Sequence, residues 1–169
     1  DAVFHQNWFN RGWMALGVGH DGLNLLFADL RGTGKSDYIW INPKNHEMNA
    51  WLSDGVDPVF KFNEAANPIS KAGCHIDRLR LPDLTGSGRA DYVCIDPATG
   101  NTNVWWNQWT KAGGVKWDGP HLLAGPVGGG NQNSIFYMDI NGDSRDDLVV
   151  KNEKGGLHGW LNIGKKYSN

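Results

Sequence analysis

The stretch Asp139-Ile-Asn-Gly-Asp-Ser-Arg-Asp-Asp147 belongs to the last of three segments that align without a gap. They are FADLRGTGKSDYIWI from Phe27, LPDLTGSGRADYVCI from Leu81 and YMDINGDSRDDLVVK from Tyr137. Their leading aspartates, Asp29, Asp83 and Asp139, are 54 and 56 residues apart. A second marker keeps register: Trp51 and Trp105 lie 22 residues beyond the first two aspartates, and Trp160 lies 21 beyond the third. Leu52-Ser53, Trp106-Asn107 and Leu161-Asn162 follow these tryptophans, and Trp8-Phe9-Asn10 carries the same signature near the start. Two markers in register define a repeat, and the leading signature predicts that the chain starts inside one.

Each unit reads as short strands separated by Gly- and Asp-rich turns. Strands are expected at 25–29, 38–41 and 49–52, matched by 79–83, 92–95 and 103–106. A weaker fourth strand is expected near 59–62, 115–117 and 14–16, and helical periodicity is hard to find. Four antiparallel strands in about 50 residues is the content of a propeller blade, whose flat faces need neighbouring blades to bury them. The expected fold is therefore all-β, with about three β-propeller blades that form part of a larger or completed propeller. A single repeat domain, 1–169, divides into a partial leading blade at 1–21, blades at 22–75 and 76–130, and an incomplete trailing blade at 131–169. An irregular three-unit sandwich is the competing architecture. Propellers close with about four or more blades, so a completing partner is expected: a longer polypeptide, a separate fragment or a homo-oligomer.

Composition narrows the function classes. Sixteen Lys and Arg against 18 Asp and Glu give a net charge of −2, which argues against a nucleic-acid surface. With 40% hydrophobic residues the chain can bury a core, and no window approaches the roughly 18 apolar residues of a membrane span. Cys74 and Cys94 permit at most one disulfide, too few to define a cystine-stapled fold. Nine Trp and 23 Gly suit short elements, tight turns and large aromatic packing groups.

The turn between the first two strands of each unit places oxygen side chains at positions one, five and nine. It resembles the calcium loops of the FG-GAP and VCBS repeat families, close to Asp-x-Asn/Asp-Gly-Asp-Gly-x-x-Asp, as in integrin alpha-chain-type and fungal lectin-like β-propellers. The resemblance implies bound Ca2+, which takes six to eight oxygens at about 2.3–2.6 Å. Asp139, Asn141, Asp143 and Asp147 occupy the family's side-chain ligand positions in loop three, with the Arg145 carbonyl as a further oxygen. Loop one offers Asp29, Thr33 and Asp37 but puts Arg31 at position three, and loop two offers Asp83, Ser87 and Asp91 with Thr85 at that position. Both depart from the pattern, so calcium is expected chiefly in loop three. Without a cation the loop-three carboxylates are expected to repel one another and some to titrate high. The competing reading makes all three loops hydrogen-bonded turns, whose end aspartates accept backbone N–H groups.

Other signals are weaker. Gly32-Thr-Gly-Lys35 lacks the spacing of a phosphate loop and precedes a strand. His5, His20, His46, His75, His121 and His158 form no compact zinc-ligand spacing, and repeated turn aspartates give no unique carboxylate pair for a glycosidase. Cys74 to Arg80 reads as a half-exposed strand. Gly128 to Gly130 reads as a connector. Trp106, standing where the other units have Leu, forms with Gln108 and Trp109 the best candidate patch for stacking on sugar faces. The resulting expectation is a noncatalytic, secreted or cell-surface module with calcium-stabilised loops that recognises a glycan or an extracellular protein. The alternative is an accessory or completing segment of a larger secreted hydrolase whose catalytic residues lie elsewhere.

Overall fold

The computed structural model describes residues 19, 22–54, 62–65, 67–124 and 132–164. The leading Trp8-Phe9-Asn10 signature, the expected strand at 14–16, and the Gly128 to Gly130 connector lie outside the described residues, as does most of the strand expected at 59–62. Eleven strands form three antiparallel sheets among the described residues, with no α-helix. The first sheet is β1 (Leu25–Ala28), β2 (Asp37–Ile41), β3 (Met48–Ser53) and β4 (Phe62–Glu64), hydrogen-bonded in that order. The second repeats the meander with β5 (Leu79–Arg80), β6 (Tyr92–Ile95), β7 (Thr102–Asn107) and β8 (Trp117–Ala124). The third contains β9 (Ile135–Met138), β10 (Asp147–Lys151) and β11 (Leu157–Trp160). This 4/4/3 arrangement of antiparallel sheets is consistent with propeller-like blades.

Strand register explains the repeated markers. Trp51 pairs with Tyr38, Trp105 with Tyr92, and Trp160 with Leu148. Because side chains alternate across a strand, Met48 and Ala50 lie on one face of β3, and Asn49 and Trp51 lie on the other. The face bearing Ala28, Leu30, Ile39, Ile41, Met48 and Ala50 packs against Leu79 and Tyr92 of the second sheet and against Cys74 and Ala90, which lie in the segments leading into its first two strands. A second core joins Leu84, Val93 and Val104 to Tyr137 of the third sheet. At both junctions one face of the earlier sheet, its tail face, is covered by the opposite face, the head face, of its successor.

Two local expectations change. The segment from Cys74 to Arg80 is not one half-exposed strand: a 3-10 turn, Ile76–Arg78, precedes the two-residue β5, and Cys74 is buried. The His75 side chain accepts from the Asp77 N–H and starts that turn. Cys74 is also bonded to Cys94, closing a loop with a sequence separation of 20. The fourth strand of the second sheet, Trp117–Ala124, falls later than 115–117, and its pairing with β7 shifts register twice, with the extra residue on β8 each time.

Candidate functional site

The three Asp loops share one hydrogen-bond plan. Asp139 Oδ1 accepts N–H groups from Asn141, Gly142 and Asp143, and Oδ2 accepts from Ser144. Asp83 accepts from Thr85, Ser87 and Gly88, and Asp29 from Arg31, Gly32 and Gly34. Left-handed backbone at positions four and six turns those N–H groups inward: Gly32 and Gly34, Gly86 and Gly88, then Gly142 and Ser144 all have φ between 70° and 80°. Ser144 therefore keeps the backbone shape despite replacing the repeated glycine.

The buried aspartate at position nine ties the loop to the end of the third strand. Asp91 accepts N–H groups from Leu84 and Asn107, Asp147 from Ile140 and Asn162, and Asp37 from Leu30 and Ser53. Burial raises Asp37 and pushes Asp91 up to about 6, although these N–H groups pull both down.

This geometry corrects the calcium assignment. Among the described residues no group of three or more His, Cys, Asp and Glu side chains is placed to hold a metal ion. The proposed ligands Asp29, Thr33 and Asp37, Asp83, Ser87 and Asp91, and Asp139, Asn141, Asp143, Arg145 and Asp147 do not assemble a calcium site. The carboxylates at positions one and nine point at N–H donors, while Asp143 accepts from the Arg145 N–H and pairs with its guanidinium at 2.6 Å. The expected repulsion is absent at two of the loop-three acids. Asp139 is held below the usual carboxylate range, first by the Ser144 N–H, and Asp143 first by the Arg145 N–H.

Loop backbones also stitch the sheets together. The Ala90 N–H donates to the Asp29 carbonyl and the Asp146 N–H to the Asp83 carbonyl, both at 2.8 Å. The buried Asn107 side chain donates to the carbonyls of Leu30 and Ala90, and Asn162 donates to those of Leu84 and Asp146. Blade two is thereby latched to blade one, and blade three to blade two.

A groove of about 770 Å³ opens between the second and third sheets. Trp106, Gln108 and Asp118 contribute from the second sheet and the loop following its third strand. Tyr137, Arg145 and Trp160 contribute from the third unit. Trp106 stacks on His121 at 6.4 Å between ring centres, and Trp160 on His158 at 4.1 Å. Arg145 is fixed between the Asp143 carboxylate and the Asn162 carbonyl, which its Nε reaches at 3.0 Å. Asp146, also in the groove wall, accepts the Asp83 N–H at 2.8 Å, and burial raises its pKa.

Of the three residues in the expected sugar patch, Trp106 and Gln108 line this groove together, whereas Trp109 does not. Trp109 corresponds in the repeat to Gly164 and donates its backbone N–H to Asn107 Oδ1. Sequence reasoning missed Tyr137, Arg145 and Trp160 as groove residues. In the sequence Trp160 stands only as one of the three repeated markers; the available signal was strand parity, since Trp106 and Trp160 occupy opposite faces of successive units.

An FG-GAP-like repeat family matches residues 83–150, spanning the second and third Asp loops. No curated protein matches the chain. Among solved structures, the chain is similar to a lectin of Agrocybe aegerita, described as specifically recognising non-reducing terminal N-acetylglucosamine, with 24% identity and a TM-score of 0.55. The match covers 83% of this chain and 35% of the lectin chain. At that identity the likeness concerns the fold: an all-β module built like part of a carbohydrate-binding lectin.

Proposed function

We propose that the chain is a noncatalytic glycan-recognition module whose site is the groove between its second and third sheets. The observation carrying this reading is the pair of indoles, Trp106 and Trp160, brought from successive blades into one groove with Tyr137, Gln108 and Asp118. Indole faces stack on the apolar C–H face of a pyranose, while fixed amides and carboxylates take its hydroxyls. The lectin-like fold supports the same reading and makes a terminal N-acetylglucosamine glycan the first probe. On this proposal the chain is one repeat domain, 1–169, with blades at 22–75 and 76–130, a partial leading blade at 1–21 and an incomplete trailing blade at 131–169. The Cys74–Cys94 disulfide supports an extracellular setting.

The direct experiment is titration of the full chain with N-acetylglucosamine-terminated oligosaccharides, followed by a wider glycan array, using tryptophan fluorescence and calorimetry. Binding by the wild type and about five- to tenfold weakening in Trp106→Ala are expected, since a stacked aromatic contributes on the order of 1–1.5 kcal/mol beyond its surroundings. Absence of glycan binding, or equal affinity in Trp106→Ala, rejects the assignment.

A further inference from the structure

Charge is unevenly matched in the groove between the second and third sheets. Among the described residues its charged lining is Asp118 from β8, with Arg145 and Asp146 from loop three. Arg145 is already engaged: its guanidinium pairs with Asp143 at 2.6 Å, and its Nε donates to the Asn162 carbonyl at 3.0 Å. Asp143 does not line the groove, so the one cation of the wall is neutralised from outside it. Asp118 and Asp146 are left to set the charge that a ligand meets.

Neither acid has a permanent counter-ion among the described residues. The only basic group paired with Asp118 is His121, whose Nε2 lies 3.5 Å from Oδ2 and is charged only when protonated. Asp146 is half-buried and forms no ion pair among the described residues. Its Oδ2 accepts the Asp83 N–H at 2.8 Å, but burial raises its pKa, and the Asp83 and Asp139 carboxylates push the same way. A positive charge brought against Asp146 relieves both effects.

The aromatic lining suits the same charge. Trp106, Tyr137 and Trp160 bring three rings to the groove, and the Tyr137 hydroxyl is buried, so a ligand meets its ring and not its phenol oxygen. Ring faces carry negative potential and attract a cation, more strongly where water is excluded. A ligand that combines an apolar pyranose face with an ammonium therefore uses both the rings and the acids.

We propose that the groove selects an amino sugar with a free ammonium, a terminal 2-amino-2-deoxyglucose, over its N-acetylated and its acidic counterparts. This rests on the glycan reading above and names the charge class of the ligand. The ammonium donates to Asp118 from the second sheet and to Asp146 from the third unit, in charge-assisted hydrogen bonds. N-acetylation removes that charge and two of the donors. A uronate meets two like charges and a guanidinium that is already paired.

Calorimetric titration of the full chain with the methyl glycosides of glucosamine, N-acetylglucosamine and glucuronic acid separates this inference from the reading beneath it. With the amine protonated and at low ionic strength, glucosamine is expected to bind about tenfold more tightly than N-acetylglucosamine, and glucuronic acid more weakly than either. The advantage should shrink as salt is added, because it is coulombic. Asp118→Asn and Asp146→Asn keep the side-chain shape and an acceptor oxygen, and each should lower the ratio of glucosamine to N-acetylglucosamine affinity by about threefold or more. N-acetylglucosamine bound as tightly as glucosamine, or more tightly, overturns the inference and leaves the glycan reading standing. A glucosamine advantage that neither asparagine variant lowers overturns it as well. A chain that binds no glycan, in this series or on the array, removes the reading and the inference together. Circular dichroism of each variant confirms the fold before affinities are compared.

Discussion

Replacing Asn107 with Ala tests whether the blades are held in register by one buried amide. Asn107 is 4% exposed and donates to the carbonyls of Leu30 and Ala90, both at 2.9 Å, while its Oδ1 accepts the Trp109 N–H at 2.9 Å. Alanine removes all three bonds. Each contributes a net stability of about 1 kcal/mol, and a buried carbonyl left without a donor costs about 1–3 kcal/mol more. Leu30 is fully buried, so its carbonyl has little recourse to water. Some relaxation offsets the sum, giving an expected loss of about 3 kcal/mol and a fall in Tm on the order of 10 °C. The assay is urea and thermal unfolding followed by both circular dichroism and tryptophan fluorescence. Asn162→Ala should lose less because Asn162 is half-buried, although it makes equivalent inter-blade bonds. Ser53→Ala should change little, since Ser53 serves Asp37 and Arg31 through its backbone. A loss below about 0.5 kcal/mol in Asn107→Ala, or equal losses in Asn107→Ala and Ser53→Ala, refutes the latch.

Melting curves in calcium and in chelator should coincide, because the loop carboxylates are engaged by N–H groups and arginine; a calcium-dependent rise in Tm that Asp143→Ala abolishes would restore the metal reading. Asp91 predicts a pH dependence of definite sign: its carboxyl has a pKa raised from 3.8 to about 6 by burial, so the folded chain binds more protons between those values. Its favourable contribution is fully present below the unfolded pKa and lost as pH rises through about 6, an effect of up to about 3 kcal/mol. Urea midpoints at pH 5 and 7 should therefore shift less in Asp91→Asn than in the wild type, and equal shifts disprove this assignment.

The blade plan was legible because turn and strand chemistry repeat. Tyr92–Ile95 matched its expected strand end to end, and the observed 102–107 and 48–53 strands extended the expected ones by a residue at each end. The metal reading failed at the level of backbone direction. Residue types at positions one, five and nine are the same for a calcium loop and for a carboxylate-capped turn; what differs is whether N–H groups or oxygens converge. Arg145 was equally hard to place, because the tie between its guanidinium, Asp143 and the Asn162 carbonyl joins positions 17 residues apart. Trp106 and Gln108 were visible as departures from the repeat. Trp160 was hidden by agreeing with it.

The loops connect the stability of the sheets to the shape of the groove. In loop three a guanidinium supplies positive charge beside Asp143, and that same group reaches the chain after β11, where it forms part of the groove wall. Loop one uses a comparable local cation, with Arg31 pairing to buried Asp37 at 3.2 Å and donating to the Ser53 carbonyl. A groove bounded by such a braced turn holds Arg145 and Asp146 fixed in its wall, which on the proposed function reduces the ordering cost of association. Because Asp146 also fastens loop three to Asp83, separation of the blades would move both walls of the groove. On the proposed function the repeated aspartates act on glycan recognition through the spacing of the sheets, while the groove takes one indole from a position where the repeats diverge, Trp106, and one from a position where they agree, Trp160.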